Sequence, residues 1–127
     1  MRYVIDAYFW IEYFKSSEIG KKVKEIVESQ YNEVFTSVIT IAEVSSISKR
    51  ESKDVELGYT IINNLSKIHS ITPELAKEAG ILHAEIRKKV KDFGMADAVV
   101  LLTARKSGAK ILTGDPHFKG FREAILI

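Results

Sequence analysis

The chain has 127 residues, 46% of them hydrophobic and 28% charged, with a formal net charge of +2. Those values fit one ordinary globular domain covering residues 1–127, and a charge this small permits a nucleic-acid partner without pointing to one. The absence of cysteine excludes a disulfide framework and a thiolate metal site.

Asp6 and Glu12 interrupt the most apolar N-terminal stretch, so no run is long enough to span a bilayer. The same region lacks the long uncharged segment of a secretory signal. The expectation is a cytoplasmic protein with no membrane association.

Residues Arg2 to Ile5 read as a short buried strand that ends at Asp6. Ala7 to Phe14 follow as a helix with Tyr8, Phe9, Trp10, Ile11, Tyr13 and Phe14 on most of its sides. Such a helix is either sandwiched in a core or offers part of its surface to a partner helix or a second copy. Ser16 or Ser17 can cap the next helix, where Ile19, Val23, Ile26 and Val27 form one apolar stripe. Val34 to Ser37 are a second strand.

Thr40 and Glu43 have capping-box spacing, which predicts a helix start there with Glu43 in its first turn. That helix continues through Val44 and Ile47 to the charged segment from Lys49 to Asp54. Leu57, Ile61, Leu65 and Ile68 are spaced as the face of another helix, and Ile68 to Ile71 as a third strand. Thr72-Pro73 is an N-cap and first-turn signal. The helix after it aligns Leu75, Ala79, Leu82, Ile86 and Val90, and Asp92-Phe93-Gly94 breaks it.

The stretch from Gly94 to Asp115 carries a helix that is apolar almost all round, then the strand Lys110 to Leu112 and the turn Thr113-Gly114-Asp115-Pro116. Ala124 to Ile127 close the chain as a final strand. Short apolar strands alternating with helices predict an α/β fold with a mostly parallel sheet.

In such a sheet the carboxyl ends of the strands and the N-termini of the following helices share one edge. Asp6, Glu43, Asp97 and Asp115 all fall at that edge, from four separate parts of the chain. Each also has a structural reading. Asp97 complements a helix dipole, Glu43 completes a capping box and Asp115 suits a turn; for Asp6, at the end of an apolar strand, no routine structural job is evident. Together they are harder to explain structurally, because clustered carboxylates repel unless a cation neutralises them.

An all-oxygen cluster suits Mg²⁺ or Mn²⁺, and paired ions of that kind serve phosphodiester hydrolysis. Thr113 is placed to orient a carboxylate or to end a strand. His69 and His83 read as structural, and His117 as a turn residue within reach of a phosphate. No G-x-S-x-G motif or P-loop is present. The second acid of an aspartyl phosphatase is replaced by Tyr8, and the acidic pair of a phosphoreceiver is absent. A non-catalytic binding module remains open on these residues alone.

Tyr3-Val4-Ile5-Asp6, Ile39-Thr40-Ile41-Ala42-Glu43, Ala96-Asp97-Ala98 and Thr113-Gly114-Asp115 with Phe118 together resemble a PIN domain, in the family's order and over essentially the whole chain. A domain of this length resembles a VapC-type toxin of a toxin–antitoxin pair. The resemblance implies a single PIN-like α/β domain and a Mg²⁺- or Mn²⁺-dependent endoribonuclease acting on structured RNA such as transfer or ribosomal RNA. It also implies a homodimer and a VapB-type antitoxin as inhibitor; a PIN nuclease of RNA processing is the alternative. By motif position Asp6, Glu43, Asp97 and Asp115 would bind the metal, with Thr113 assisting. Ala7 and Tyr8 stand where many members carry a small hydroxyl residue and often an asparagine. The lysine-rich runs Lys21-Lys22-Lys24, Lys49-Arg50-Lys53 and Lys88-Lys89-Lys91 read as solvated helix faces, some able to track an RNA backbone.

Overall fold

The computed structural model describes residues 1–126. Five strands form one parallel sheet: β1 (Arg2–Ile5), β2 (Glu33–Ser37), β3 (Lys67–His69), β4 (Lys110–Thr113) and β5 (Ala124–Leu126). Their order across the sheet is β3-β2-β1-β4-β5. The chain therefore winds outward from β1 in one direction and then returns to add β4 and β5 on the other side. The reversal falls between β1 and β4, where open α/β sheets form a crevice at their carboxyl edge. Register brings Ile5 beside Leu112, so the residues just past each strand end, Asp6 and those after Thr113, emerge side by side.

Six helices cover the sheet: α1 (Ala7–Lys15), α2 (Glu18–Val27), α3 (Val38–Arg50), α4 (Val55–Leu65), α5 (Pro73–Arg87) and α6 (Met95–Ser107). Strand alternation divides the core in two. Val4 and Ile111 pack with Ala98, Leu101 and Ala104 of α6 on one face. Ile5 and Leu112 pack with Phe9 and Trp10 of α1, Val23 of α2 and Val44 of α3 on the other. The buried indole is satisfied, since Trp10 Nε1–H donates to Thr36 Oγ1 at 3.1 Å.

Helices α1 and α2 meet at a close approach. A Cβ added to Gly20 would stand 2.0 Å from the Glu12 carbonyl oxygen, so only glycine fits there. Ser17 caps α2 through the Gly20 N–H, whereas Ser16 ends α1 in the left-handed region at φ 54°.

Several expected boundaries move. The capping box of Thr40 and Glu43 does not form. Ser37 is the N-cap of α3 and accepts the Ile39 N–H, so the helix starts earlier and Glu43 lies in its second turn. Strand β3 occupies Lys67–His69 rather than Ile68 to Ile71, because Ser66 turns extended and ends α4 at Leu65. Helix α5 begins as Thr72 predicts, with the Leu75 N–H capped, but stops at Arg87. Val90 packs on the core from the turn beyond, and Lys88-Lys89-Lys91 also lie in that turn segment rather than on a helix face. The last strand is found at Ala124–Leu126; Ile127, the remaining residue of that expectation, lies outside the described residues.

Candidate active site

Asp6 follows β1 and is the N-cap of α1, accepting the Phe9 N–H at 3.1 Å. It therefore has a structural job after all. Asp97 occupies the first turn of α6, where its Oδ2 accepts the Gly94 N–H at 2.8 Å. Asp115 caps a short 3₁₀ turn, Pro116–Phe118, accepting the His117 N–H at 2.8 Å. These contacts fix the three carboxylates on rigid helix starts instead of leaving them on mobile loops.

All four predicted acids line one cleft of about 500 Å³ together with Tyr8, Glu12, Lys15, Arg50 and Phe118. Asp97 and Asp115 form its tightest part, where His117 joins them within 4.8 Å. Asp115, which a turn alone would explain, thus sits at the centre of the cluster. Glu43 reaches the cleft from α3 and is the most open of the four.

The electrostatics record the crowding. Burial pushes the Asp6 carboxyl from the ordinary 3.8 up to about 6, and the charges of Asp115 and Asp97 add to the rise. Hydrogen bonds from the Thr113 hydroxyl and the Phe9 N–H act in the opposite direction. Glu43 is also raised, first by desolvation and then by Asp97, Asp6 and Asp115. Asp6 and Glu43 both feel the charges of Asp97 and Asp115, which is the condition under which a cation is favoured.

Thr113 is fully buried at the end of β4. Its oxygen accepts the Asp115 N–H at 3.0 Å, and its hydroxyl favours the charged form of Asp6. One side chain therefore ties the two acids that flank the reversal of the sheet.

Sequence reasoning missed two features. Lys15 lines the acidic cleft as well as Arg50, and no basic run marked it. His117 is a turn residue, as expected, but its Nδ1 also lies 3.4 Å from Asp97 Oδ2 and 3.3 Å from Asp115 Oδ1, a contact that its sequence position does not show. His69 and His83 are not among the residues that line the cleft.

The aromatic helix α1 is only partly sandwiched in the core. Phe9 and Trp10 are wholly buried, whereas Ile11, Tyr13 and Phe14 line a second groove of about 420 Å³ with Leu57, Gly58 and Ile61 of α4. Ile11, Lys15 and Glu51 border both hollows, so the apolar groove runs into the acidic cleft.

Fold and site together define a doubly wound parallel α/β domain with an acidic cleft at its topological switch point. The model of the PIN domain family matches residues 3–124, and the chain belongs to that family. No curated protein sequence matches it.

Solved structures share the fold. VapBC2 from Rickettsia felis, bound to a DNA fragment from its promoter, is 19% identical with a TM-score of 0.76, over 100% of this chain and 98% of that one. Mycobacterium tuberculosis VapC20, a toxin that cleaves the sarcin–ricin loop, is 20% identical with a TM-score of 0.74, over 95% and 97% of the two chains. A toxin–antitoxin complex from Klebsiella pneumoniae is 21% identical with a TM-score of 0.71, over 96% and 94%.

Proposed function

We propose that this protein is a Mg²⁺- or Mn²⁺-dependent endoribonuclease that acts as the toxin of a type II toxin–antitoxin pair in the cytoplasm. The observation that carries the reading is the convergence of Asp6, Glu43, Asp97 and Asp115, from four elements, on one cleft at the switch point of the sheet. The donor set fits a hard divalent ion. It is dominated by carboxylate oxygens, and two of its members are pushed above their ordinary range by burial and by one another.

Asp6, Glu43, Asp97 and Asp115 would hold the metal. Bound there, it would supply charge neutralisation for the phosphodiester and an acidified water. Asp6 and Asp115 are held in position by Thr113, which limits the reorganisation required when RNA arrives. Lys15 and Arg50, at the border of the cleft, are placed to take the phosphates on either side of the scissile bond.

The partner reading is supported by the groove of α1 and α4. Its apolar lining from Ile11, Phe14, Leu57 and Ile61 and its continuity with the acids suit an amphipathic segment of a VapB-type antitoxin. Toxin–antitoxin pairing of the structural relatives agrees with this. Homodimer formation would cover exposed apolar side chains such as Ile81 and Met95, 55% and 52% accessible.

Incubation of purified protein with total RNA tests the activity. Discrete cleavage is expected with Mg²⁺ or Mn²⁺, and none with chelator or in Asp6→Asn. Intact RNA in every metal, or cleavage that survives chelation, would refute the assignment.

A further inference from the structure

The side chain of His117, grouped with Asp97 and Asp115, has no part in the chemistry above. His117 lies in the 3₁₀ turn after Asp115, and that turn is firmly held. Asp115 accepts the His117 backbone N–H, and the next residue, Phe118, is buried edge-on against Phe93. The backbone that carries the ring is therefore fixed. Its Nδ1 is sealed from solvent and makes no hydrogen bond among the described residues. A buried polar atom without a partner is costly and calls for a physical explanation.

The surroundings of Nδ1 supply one. It faces Asp115 Oδ1 at 3.3 Å and Asp97 Oδ2 at 3.4 Å. Both oxygens are already oriented by a backbone N–H, from His117 and Gly94 respectively, at 2.8 Å. A charge-assisted N–H···O contact would bring the atoms to about 2.7–2.9 Å. Two donors bound to a common ion, each about 2.1 Å from it, stand roughly 3.0–3.4 Å apart at octahedral to tetrahedral angles. The observed spacing is longer than a charge-assisted hydrogen bond and matches that of two ligands around one ion.

We propose that His117 Nδ1 is a metal ligand beside Asp97 and Asp115, giving the cleft a mixed nitrogen–oxygen site that selects Mn²⁺ over Mg²⁺. The inference rests on the reading of the cleft as a divalent-cation site and adds the donor that sets ion preference. Imidazole is a borderline donor that suits transition metals, whereas Mg²⁺ keeps to oxygen and water. Asp6 and Glu43 lie outside the tight trio and complete the oxygen side of the cleft.

The test loads the full chain with Mn²⁺ alone and records pulsed electron paramagnetic resonance, which detects ¹⁴N coupling from a directly bound imidazole. Calorimetric titrations give the Kd for Mn²⁺ and for Mg²⁺ in the wild type and in His117→Gln, which keeps the backbone N–H that Asp115 needs. Nitrogen coupling is expected in the wild type and not in the variant. The Mn²⁺-over-Mg²⁺ preference should fall by at least the roughly 10-fold seen when outer metal-site partners are removed.

Bound Mn²⁺ without nitrogen coupling overturns the inference but leaves the divalent-cation reading intact. Coupling with an unchanged preference overturns the selectivity. Failure of both ions to bind overturns both readings. If His117→Gln does not fold, the wild-type spectrum alone decides ligation.

Discussion

Helices α1 and α6 border the same cleft, and each begins with an acid that holds backbone N–H groups, yet they use their apolar residues differently. Helix α6 buries Ala98, Val99, Val100, Leu101, Thr103 and Ala104; even the Thr103 hydroxyl is absorbed, donating to the Val99 carbonyl at 2.8 Å. Helix α1 buries only Phe9 and Trp10, leaving Tyr8 49% exposed and Ile11, Tyr13 and Phe14 along a groove. Equal apolarity therefore has two meanings. In α6 it makes a scaffold that holds Asp97 still; in α1 it makes half a scaffold and half a surface.

The acids follow the same division. Asp6, at the head of α1, is pressed against the core and its carboxyl is forced up to about 6. Asp97, at the head of α6, opens toward Asp115 and His117.

The largest expected effect concerns the acids. Asp97→Asn keeps an oxygen for the Gly94 N–H, so the fold should persist while RNA cleavage falls by about 10²-fold or more, the scale of losing one electrostatic contributor to catalysis. Circular dichroism and a cleavage assay on the same preparation check it; retained cleavage would remove Asp97 from the site.

Next come the two helices themselves. Leu101→Ala empties a fully buried position in α6 and should cost about 2–5 kcal/mol. Phe14→Ala in α1 removes a half-buried ring and should cost about 1–2 kcal/mol, in proportion to the area it covers. Chemical denaturation measures both. Equal costs would erase the distinction between scaffold and surface.

A third effect separates Asp6 by pH. Its carboxyl is raised in the folded state from 3.8 to about 6. Below the unfolded value both states hold a neutral acid and no penalty exists. Above about 6 the folded state must bury a charge that the unfolded chain leaves in water. This group therefore lowers stability as pH rises from about 4 to 6, on the order of 3 kcal/mol at 1.36 kcal/mol per unit. Asp6→Asn still caps α1 and should flatten that slope in chelator. Urea denaturation at pH 5 and pH 7 checks it, and an unchanged slope would mean that Asp6 is not the strained group.

Much of this architecture is legible in the sequence because it depends on local pattern. Tyr3-Val4-Ile5 and Ile111-Leu112 read as buried strands and Thr72-Pro73 as a helix start, and all three are found. What the sequence hides depends on which of two local signals wins. Thr40 and Glu43 have capping-box spacing, but Ser37 sits where β2 ends and takes the cap first, which moves Glu43 a turn further along α3. Asp6 was singled out for having no routine job at a strand end, but the immediate helix start gives it one. His117 and Asp97 are twenty positions apart, and only the 3₁₀ turn and the start of α6 bring them together. Lys15 reaches the cleft because α1 lies along it, which periodicity alone does not reveal.

Four carboxylates in one cleft should repel one another until a shared divalent ion relieves them. The most direct measurement is the thermal unfolding midpoint of the purified protein across millimolar Mg²⁺ and Mn²⁺, against chelator, beside Asp6→Asn. The wild-type Tm should climb with either ion, as linkage to binding requires. The metal-free midpoint should be higher in Asp6→Asn, with a smaller response to metal. A wild-type Tm that stays flat across both ions, with the variant no more stable in chelator, would contradict this relief by a shared ion.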